Sequence, residues 1–191
     1  MQIQRAEGVI LQSLNFQDYD QILTVFTREE GLIKLIVKRA RHAKSGRGGF
    51  TAPFTQAEFI YKEGRGEIFT CSEVSVIHQH LGLRRSLSVL EAACDIIKAL
   101  LLVQPIQAAA PQLYDLLILY LTHIPRLRDP YALAASFRLK LLKHEGLLGN
   151  EIPDIIHRLA HVRTFAELEK IQLEPAMREG IRHFFVAHIG K

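Results

Sequence analysis

The pattern that most constrains the fold is an alternation of apolar and polar residues that recurs within the first 78 positions. Such alternation is typical of β-strands that bury one face. We predict five short strands at residues 7–14, 21–28, 32–38, 56–62 and 67–76. Five short strands so close together favour a small closed or partly closed barrel. An OB-type barrel is the best single expectation, and a five-stranded SH3-like barrel would give much the same pattern.

The pattern changes near residue 78 to the spacing of amphipathic and buried helices. Helices are predicted at residues 88–103, 111–123, 131–144, 153–160, 164–171 and 175–189. Three of them carry cap signals, with Ser88, Asp129 and Thr164 in the capping positions. The predicted fold class is therefore α+β and multi-domain, with an N-terminal five-stranded OB-type β-barrel at 1–78 and an all-α helical domain at 79–191.

The segment from residue 31 to residue 57 is purely basic, because it contains six Lys or Arg residues and no Asp or Glu. The six are Lys34, Lys38, Arg39, Arg41, Lys44 and Arg47. The first two alternate outward on the predicted third strand, and the other four follow in a loop of small residues and glycines. A loop of one charge sign that a ligand can approach closely suits a polyanion. The alternative is a solvated basic loop that only aids solubility.

Aromatic residues near the basic loop are candidate stacking partners for unpaired bases. Phe54 and Phe59 are expected in the barrel core, whereas Phe50 and Tyr61 are the candidates for base stacking. If all six cations met phosphates, the logarithm of the affinity would fall with the logarithm of the salt concentration at a slope of roughly −4 to −5. Together these residues predict a groove that follows a phosphate backbone.

A second candidate surface lies on the third predicted helix. Arg138, Lys140 and Lys143 are basic, and the other face of this helix supplies Phe137 and Leu141. A groove with an apolar floor of Phe137 and Leu141 and a rim that includes Arg138 would suit an acidic peptide with a hydrophobic end. The alternative is an ordinary amphipathic helix with a solvated basic side.

The sequence carries no constellation for catalysis or for a cofactor. It has no GxxxxGK[ST], HExxH or GxSxG motif. His157 and His161 stand four apart and could offer two imidazoles to a metal, but no third ligand with a recognised spacing follows. We therefore expect a protein that binds rather than catalyses, with no metal and no cofactor. From the residues alone, an RNA-binding barrel and a non-catalytic protein-docking adaptor stay open as alternatives.

Charge, cysteine usage and hydropathy suggest where the protein acts. The formal net charge is +4, so anion binding must come from a local patch. The two cysteines, Cys71 and Cys94, form no framework and no CxxC pair, which favours a reducing setting. The N-terminus lacks the order of a signal peptide, and the most apolar region is broken by charges and prolines. We expect a cytoplasmic protein that does not contact a membrane.

An ordered series of segments resembles the RecO family of recombination mediators. The series runs GVILQSLNFQDYDQILTVFTREEG, LIVKRARHAKS, PF and YKEGRGEIFTCSE. The later helix FRLKLLKHEGLL resembles the family's apolar helix that ends in Leu-Gly. The match is clear over the N-terminal module and diffuse over the helical part. No one motif is diagnostic, and the order of the segments carries the resemblance.

The resemblance implies an OB-fold followed by a helical domain, in a DNA repair protein that binds single- and double-stranded DNA and anneals complementary strands. It implies as partners RecR and the acidic C-terminal tail of single-strand DNA-binding protein. RecA is an indirect partner, which family members help to load onto protein-coated single strands. The family's DNA contacts are attributed largely to basic OB-fold surfaces, which here are the six cations named above. A cytoplasmic, nucleoid-associated location follows from this role.

Three departures from the family pattern bear on these expectations. Many members carry a four-cysteine zinc loop after the apolar helix, and GLLGNEIPDIIHRL contains no cysteine, which excludes that zinc finger. Some members place Arg directly before the helix Phe, whereas this chain has Ala135 and Ser136, which weakens the case for the tail-binding pocket. The chain ends at Lys191, where relatives often continue with a basic tail, so a short member with a reduced second DNA surface is expected.

Overall fold

The computed structural model describes residues 3–41, 50–62, 66–149 and 151–189. Within these ranges the chain forms five strands and then six α-helices, with short 3₁₀ helices at Leu81–Arg84 and Ile124–Arg126. The strands are β1 (Ile3–Phe16), β2 (Asp20–Thr27), β3 (Gly31–Val37), β4 (Gln56–Lys62) and β5 (Ile68–His78). The helices are α1 (Leu87–Val103), α2 (Pro111–His123), α3 (Pro130–His144), α4 (Asp154–His161), α5 (Phe165–Leu168) and α6 (Pro175–Ile189). The predicted α+β fold class is confirmed.

The five strands close into a barrel in the order β1-β2-β3-β5-β4, and β4 returns to β1. The β3–β5 pair is parallel, and the other neighbouring pairs are antiparallel. This is the strand order of an OB-type Greek-key barrel. The structure therefore confirms the expected OB-type barrel over the SH3-like alternative.

Strand β1 is longer than predicted because it serves two sides of the barrel. Its residues 3–9 pair with β4, and its residues 8–16 pair with β2. The register with β2 shifts between Ile10 and Gln12, and such an irregularity bends a strand from one neighbour towards the next. Phe54 donates its backbone N–H to the carbonyl oxygen of Ile10 at 2.8 Å. The segment that follows the basic loop is thereby attached at this bend.

The barrel interior is filled by apolar side chains from all five strands. Phe59 is fully buried and Phe54 is nearly so, which confirms that both belong to the core. The rings of Tyr61 and Phe69 stack with their centroids 5.6 Å apart. The Tyr61 hydroxyl donates a hydrogen bond to Glu30 Oε1 at 2.6 Å, so this buried phenol has a polar partner.

The chain divides into two compact units. The first unit comprises Met1–His80 and Gln104–Leu117, and the second comprises Leu81–Val103 and Ile118–Lys191. Within the first unit, Gln107 donates its backbone N–H to the carbonyl oxygen of Leu32 at 2.9 Å, which attaches the segment before α2 to β3. The predicted domain limits, 1–78 and 79–191, instead assign residues 104–117 to the helical domain. These predicted limits stay a prediction.

In the second unit α3 is the central helix, and α1, α4 and α6 pack against it. It is buried along most of its length, and Phe137, Leu139 and Leu141 have no exposed surface. The Ser136 hydroxyl donates to the carbonyl oxygen of Leu159 at 2.8 Å. This contact satisfies a buried hydroxyl and joins α3 to α4.

Several helix ends also differ from the predicted boundaries. Asp129 and Thr164 each accept a backbone N–H from the first turn of their helix, so both predicted caps are confirmed. The predicted cap of α1 is wrong, because Ser86 rather than Ser88 accepts a backbone N–H of the first turn, at 3.3 Å. The helix predicted at 164–171 shortens to the four residues of α5.

Candidate nucleic-acid interface

A buried carboxylate holds the first residues of the basic stretch at one end of the barrel. Asp20 opens β2 and retains only 7% exposure. Its Oδ2 accepts a hydrogen bond from Lys38 Nζ at 2.6 Å, and its Oδ1 accepts one from the Arg39 backbone N–H at 2.9 Å. The bond from Lys38, followed by the bond from Arg39, lowers the pKa of Asp20 below its ordinary value. Near neutral pH the carboxylate is therefore charged, and it accepts both hydrogen bonds.

Tyr19, the residue before Asp20, binds the backbone of the basic segment at Arg41. Tyr19 accepts the backbone N–H of Arg41 on its carbonyl oxygen at 2.9 Å. The β1–β2 turn, residues 17–19, therefore lies beside residues 38–41. Arg39 and Arg41 are exposed, and neither forms an ion pair with another residue in the described ranges. Two cationic side chains are thus presented to solvent on a backbone that is held in place.

Arg39 has a left-handed backbone, with φ at +55°. Holding a non-glycine residue in this region costs about 1–3 kcal/mol, and glycine adopts it freely. The exposed Arg39 side chain contributes no buried packing that would offset this cost. Strained residues of this kind cluster at functional sites. The left-handed backbone therefore makes Arg39 a candidate binding residue.

The other predicted cations are placed less favourably or lie outside the described residues. Lys34 is half-buried on β3, between its partners on β2 and β5. Lys38 follows β3 instead of ending it, and Asp20 already neutralises its charge. Lys44 and Arg47 lie outside the described residues. The structure thus brings Lys38, Arg39 and Arg41 together and leaves Lys34 on the wall of the barrel.

The aromatic candidates require one correction. Tyr61 is fully buried on the core face that it shares with Phe59, so a base cannot reach its ring. The prediction that Tyr61 stacks on bases is therefore wrong. Phe50 is half-buried, and its stacking role stays a prediction. Two exposed aromatic residues were missed: Phe16, with 39% exposure, and Tyr19, with 53%. The available signal was that Phe16 directly precedes a short polar turn and Tyr19 lies in it, away from the predicted core faces of the strands.

The predicted peptide groove on α3 is also wrong. Phe137 and Leu141 are fully buried by the helices around α3, so they cannot form the floor of an open groove. Arg138 is buried as well, and its guanidinium lies 3.1 Å from Asp95 Oδ1 of α1. It lines a cavity of about 270 Å³ whose apolar wall includes Phe185, not the two residues predicted.

The histidine pair does not extend into a metal centre in the described ranges. His157 and His161 stack with their ring centroids 4.2 Å apart. Among the described residues, no group of three or more His, Cys, Asp or Glu side chains is arranged to hold a metal ion. In the same part of the chain, every helix is too short or too polar to cross a bilayer.

Comparison with known proteins places this barrel in a family. Residues 1–80 match the family model described as recombination protein O, N terminal. Over 149 residues the chain is 32% identical to the DNA repair protein RecO of Symbiobacterium thermophilum, a match that covers 76% of this chain and 58% of that relative. Residues 1–80 are a RecO N-terminal domain. The chain is also 30% identical to the DNA repair protein RecO of Bifidobacterium animalis over 154 residues, or 76% of this chain and 62% of the relative.

A third relative gives a similar picture. The DNA repair protein RecO of Syntrophotalea carbinolica is 27% identical over 156 residues, which cover 80% of this chain and 58% of that protein. The chain thus spans about three fifths of the length of the curated RecO proteins it matches. The segment that carries Arg39 and Arg41 lies within the part that matches the RecO N-terminal model.

Proposed function

We propose that this protein binds DNA in repair and recombination and acts without catalysis. The observation that carries the proposal is the pair of exposed residues Arg39 and Arg41, whose backbone N–H groups are bound by Asp20 and by Tyr19. Cations on a backbone that is already ordered lose less conformational entropy when they bind a phosphate. The relatives named above are DNA repair proteins by name. DNA is therefore the polyanion that we propose as the ligand.

The phosphate-binding surface is proposed to comprise Lys34, Lys38, Arg39, Arg41, Lys44 and Arg47. Contacts to phosphates position a nucleic acid without reading its sequence, so one surface can accept single and double strands. The two arginines are expected to contribute most of the affinity. Lys38 should contribute less, because its ammonium group already faces the Asp20 carboxylate at 2.6 Å.

The same surface would promote annealing. Cations placed between two strands offset the repulsion between their phosphates, while the base edges stay free to pair. Resemblance to the RecO family supports this activity and the partners that go with it. These are RecR, the C-terminal tail of single-strand DNA-binding protein and, indirectly, RecA, the recombinase loaded onto protein-coated single strands. Such a role places the protein in the cytoplasm with the nucleoid.

Double charge reversal, Arg39→Glu with Arg41→Glu, tests the proposed interface. Both side chains are exposed, so the barrel should stay folded by circular dichroism and thermal melting. The affinity for fluorescently labelled single- and double-stranded DNA should fall on the order of 100-fold. The matched control is Arg158→Glu with Arg163→Glu, the same charge change at two exposed positions of the helical unit. Retained affinity in the first variant would contradict the proposal, and an equal loss in the control would move the site to the helices.

Competition experiments separate DNA binding from the other functions that a basic barrel supports. Unlabelled single-stranded DNA and RNA of one sequence should compete for the labelled DNA without a strong preference for RNA. A strong preference for RNA would contradict the proposal and indicate an RNA-binding barrel. Negligible affinity for any nucleic acid would indicate a protein-docking adaptor.

A further inference from the structure

We infer that the β1–β2 turn is a base-stacking platform for single-stranded DNA, with the Tyr19 ring as its main contact and Phe16 as a second. The inference rests on the proposed function, because it assigns the bases of the strand to a surface beside the phosphate-binding arginines. It differs from that proposal in the chemistry involved. Arg39 and Arg41 would bind the charged backbone, whereas the turn would bind the apolar faces of unpaired bases.

Exposure is the first observation that supports this platform. Among the described aromatic residues of the barrel unit, Tyr19 and Phe16 are exposed, Phe50 is half-buried, and the others belong to the core. Both rings therefore have solvent-accessible surface on which a base could stack. Bases stack on exposed aromatic rings in many proteins that bind single strands, and base identity has little influence.

Placement is the second observation. Tyr19 binds the Arg41 N–H through its own carbonyl oxygen, and its neighbour Asp20 binds Lys38 and Arg39. The aromatic turn and the basic segment are therefore connected by three hydrogen bonds and form one end of the barrel. A strand whose phosphates lie on the arginines would have its bases within reach of the turn.

The charge of the turn indicates which part of the strand it contacts. Asp18 is exposed between Gln17 and Tyr19, and its carboxylate would repel a phosphate. Arg39 and Arg41, across the hydrogen bonds from the turn, attract phosphates instead. These opposite charges favour one orientation of the bound strand. Its bases would lie on the turn, and its phosphates would lie on the arginines.

Oligothymidine and an abasic strand with the same number of phosphates separate stacking from charge. The wild-type protein should bind labelled oligothymidine about 5- to 150-fold more tightly than the abasic strand, because the abasic strand has no bases to stack. Tyr19→Ala should remove most of this difference and leave the affinity for the abasic strand unchanged. Tyr19→Phe keeps the ring and should keep the difference. Affinity for blunt duplex DNA, whose bases are already stacked, should not change in either variant.

A fluorescence readout reports on stacking directly. The chain has no tryptophan, so Tyr19→Trp creates a single reporter. Oligothymidine should quench this indole, and the abasic strand at equal saturation should not. Ile3→Trp is the control, because Ile3 is also exposed but lies at the opposite end of β1 from Phe16. Its fluorescence should stay unchanged with both strands.

The possible failures are distinguishable. If the wild type binds both strands equally tightly, or if Tyr19→Ala weakens both equally, stacking is overturned while phosphate binding stands. If Tyr19→Ala leaves the affinity for both strands unchanged, the inference is also overturned, and the turn becomes a candidate contact for a protein partner. If the wild type binds neither strand, the proposed function fails, and the stacking inference fails with it.

Discussion

Asp20 Oδ2 lies 2.6 Å from Lys38 Nζ, and this contact joins the start of β2 to the residue that follows β3. The Lys38 side chain is 54% exposed, so the ion pair is partly screened by solvent and contributes little stability as a charge pair. Its second effect is positional, because the same carboxylate also binds the N–H of Arg39. The arginine-bearing segment therefore leaves the barrel in a defined direction.

Asp20 makes the stability of the barrel depend on pH in acid. Hydrogen bonds from Lys38 and from Arg39 lower the folded-state pKa of Asp20 below its ordinary value of 3.8. A group with a depressed folded pKa stabilises the fold above its unfolded pKa, and this contribution is lost as pH falls through the folded pKa. Urea unfolding should therefore show wild-type stability falling at pH values below 3.8 more steeply than that of Asp20→Asn. Parallel pH profiles for the two proteins would contradict this role.

Arg39→Gly should separate stability from binding. Glycine relieves the left-handed backbone but adds freedom to the unfolded chain, so the free energy of unfolding should be unchanged or rise by up to about 1 kcal/mol. The DNA affinity should fall about 5-fold, because one phosphate contact is lost. Gln17→Gly is the matched control, since Gln17 is also left-handed, with φ at +52°, and carries no charge. A loss of stability in Arg39→Gly without a loss of affinity would show that the side chain is structural.

Gly31 is required by both its backbone and its surroundings. Its φ is +73°, and a Cβ atom at this position would lie 2.0 Å from the carbonyl oxygen of Ala108. Gly31→Ala should therefore lower the free energy of unfolding by about 3 kcal/mol or more, as measured by urea denaturation. Gly66→Ala is the control, because nothing lies within 4 Å of its added Cβ, and it should change stability by less than about 1 kcal/mol. Equal effects of the two substitutions would contradict the close approach of Gly31 to Ala108.

Asp95 forms ion pairs with two arginines in the helical unit. Its oxygens lie 3.1 Å from Arg138 and 3.1 Å from Arg182, and the Arg138 side chain is only 9% exposed. Asp95→Asn should lower the free energy of unfolding by about 2–4 kcal/mol, because a buried guanidinium loses its counter-charge. Glu179→Gln removes the more exposed partner of Arg182 and should cost less than about 1 kcal/mol. If chemical denaturation gave similar small losses for both variants, Arg138 would not depend on Asp95.

The alternation of the first 78 residues was sufficient to predict five strands and a small barrel, because burial of one face sets the period of a strand. The strand order that makes this barrel OB-type rather than SH3-like is visible only in the folded chain. Tyr61 alternates in step with Ala57 and Phe59, and the face that the three share is the core. The stacking prediction for Tyr61 is wrong because a base cannot reach a ring on that face. The buried hydroxyl instead meets Glu30, a contact between distant positions that no local pattern reveals.

The interface itself could be predicted only in part. Charge sign along the chain identified the segment that carries Arg39 and Arg41. The partners that hold this segment, Asp20 and Tyr19, come from another hairpin, so only the folded barrel shows them. The helical unit shows the same limit, because Arg138 looks like a solvated cation in sequence but is buried against Asp95 of a different helix.

The salt dependence of single-stranded DNA binding tests the proposed DNA site most directly, measured by fluorescence anisotropy for the wild type and for Arg39→Glu with Arg41→Glu. Each phosphate contact on a single strand contributes roughly 0.7 to the slope of log affinity against log salt. We expect a steep negative slope for the wild type and a slope that is shallower by about 1.4 or more in the variant. Equal slopes in the two proteins would contradict the placement of the DNA site at this end of the barrel.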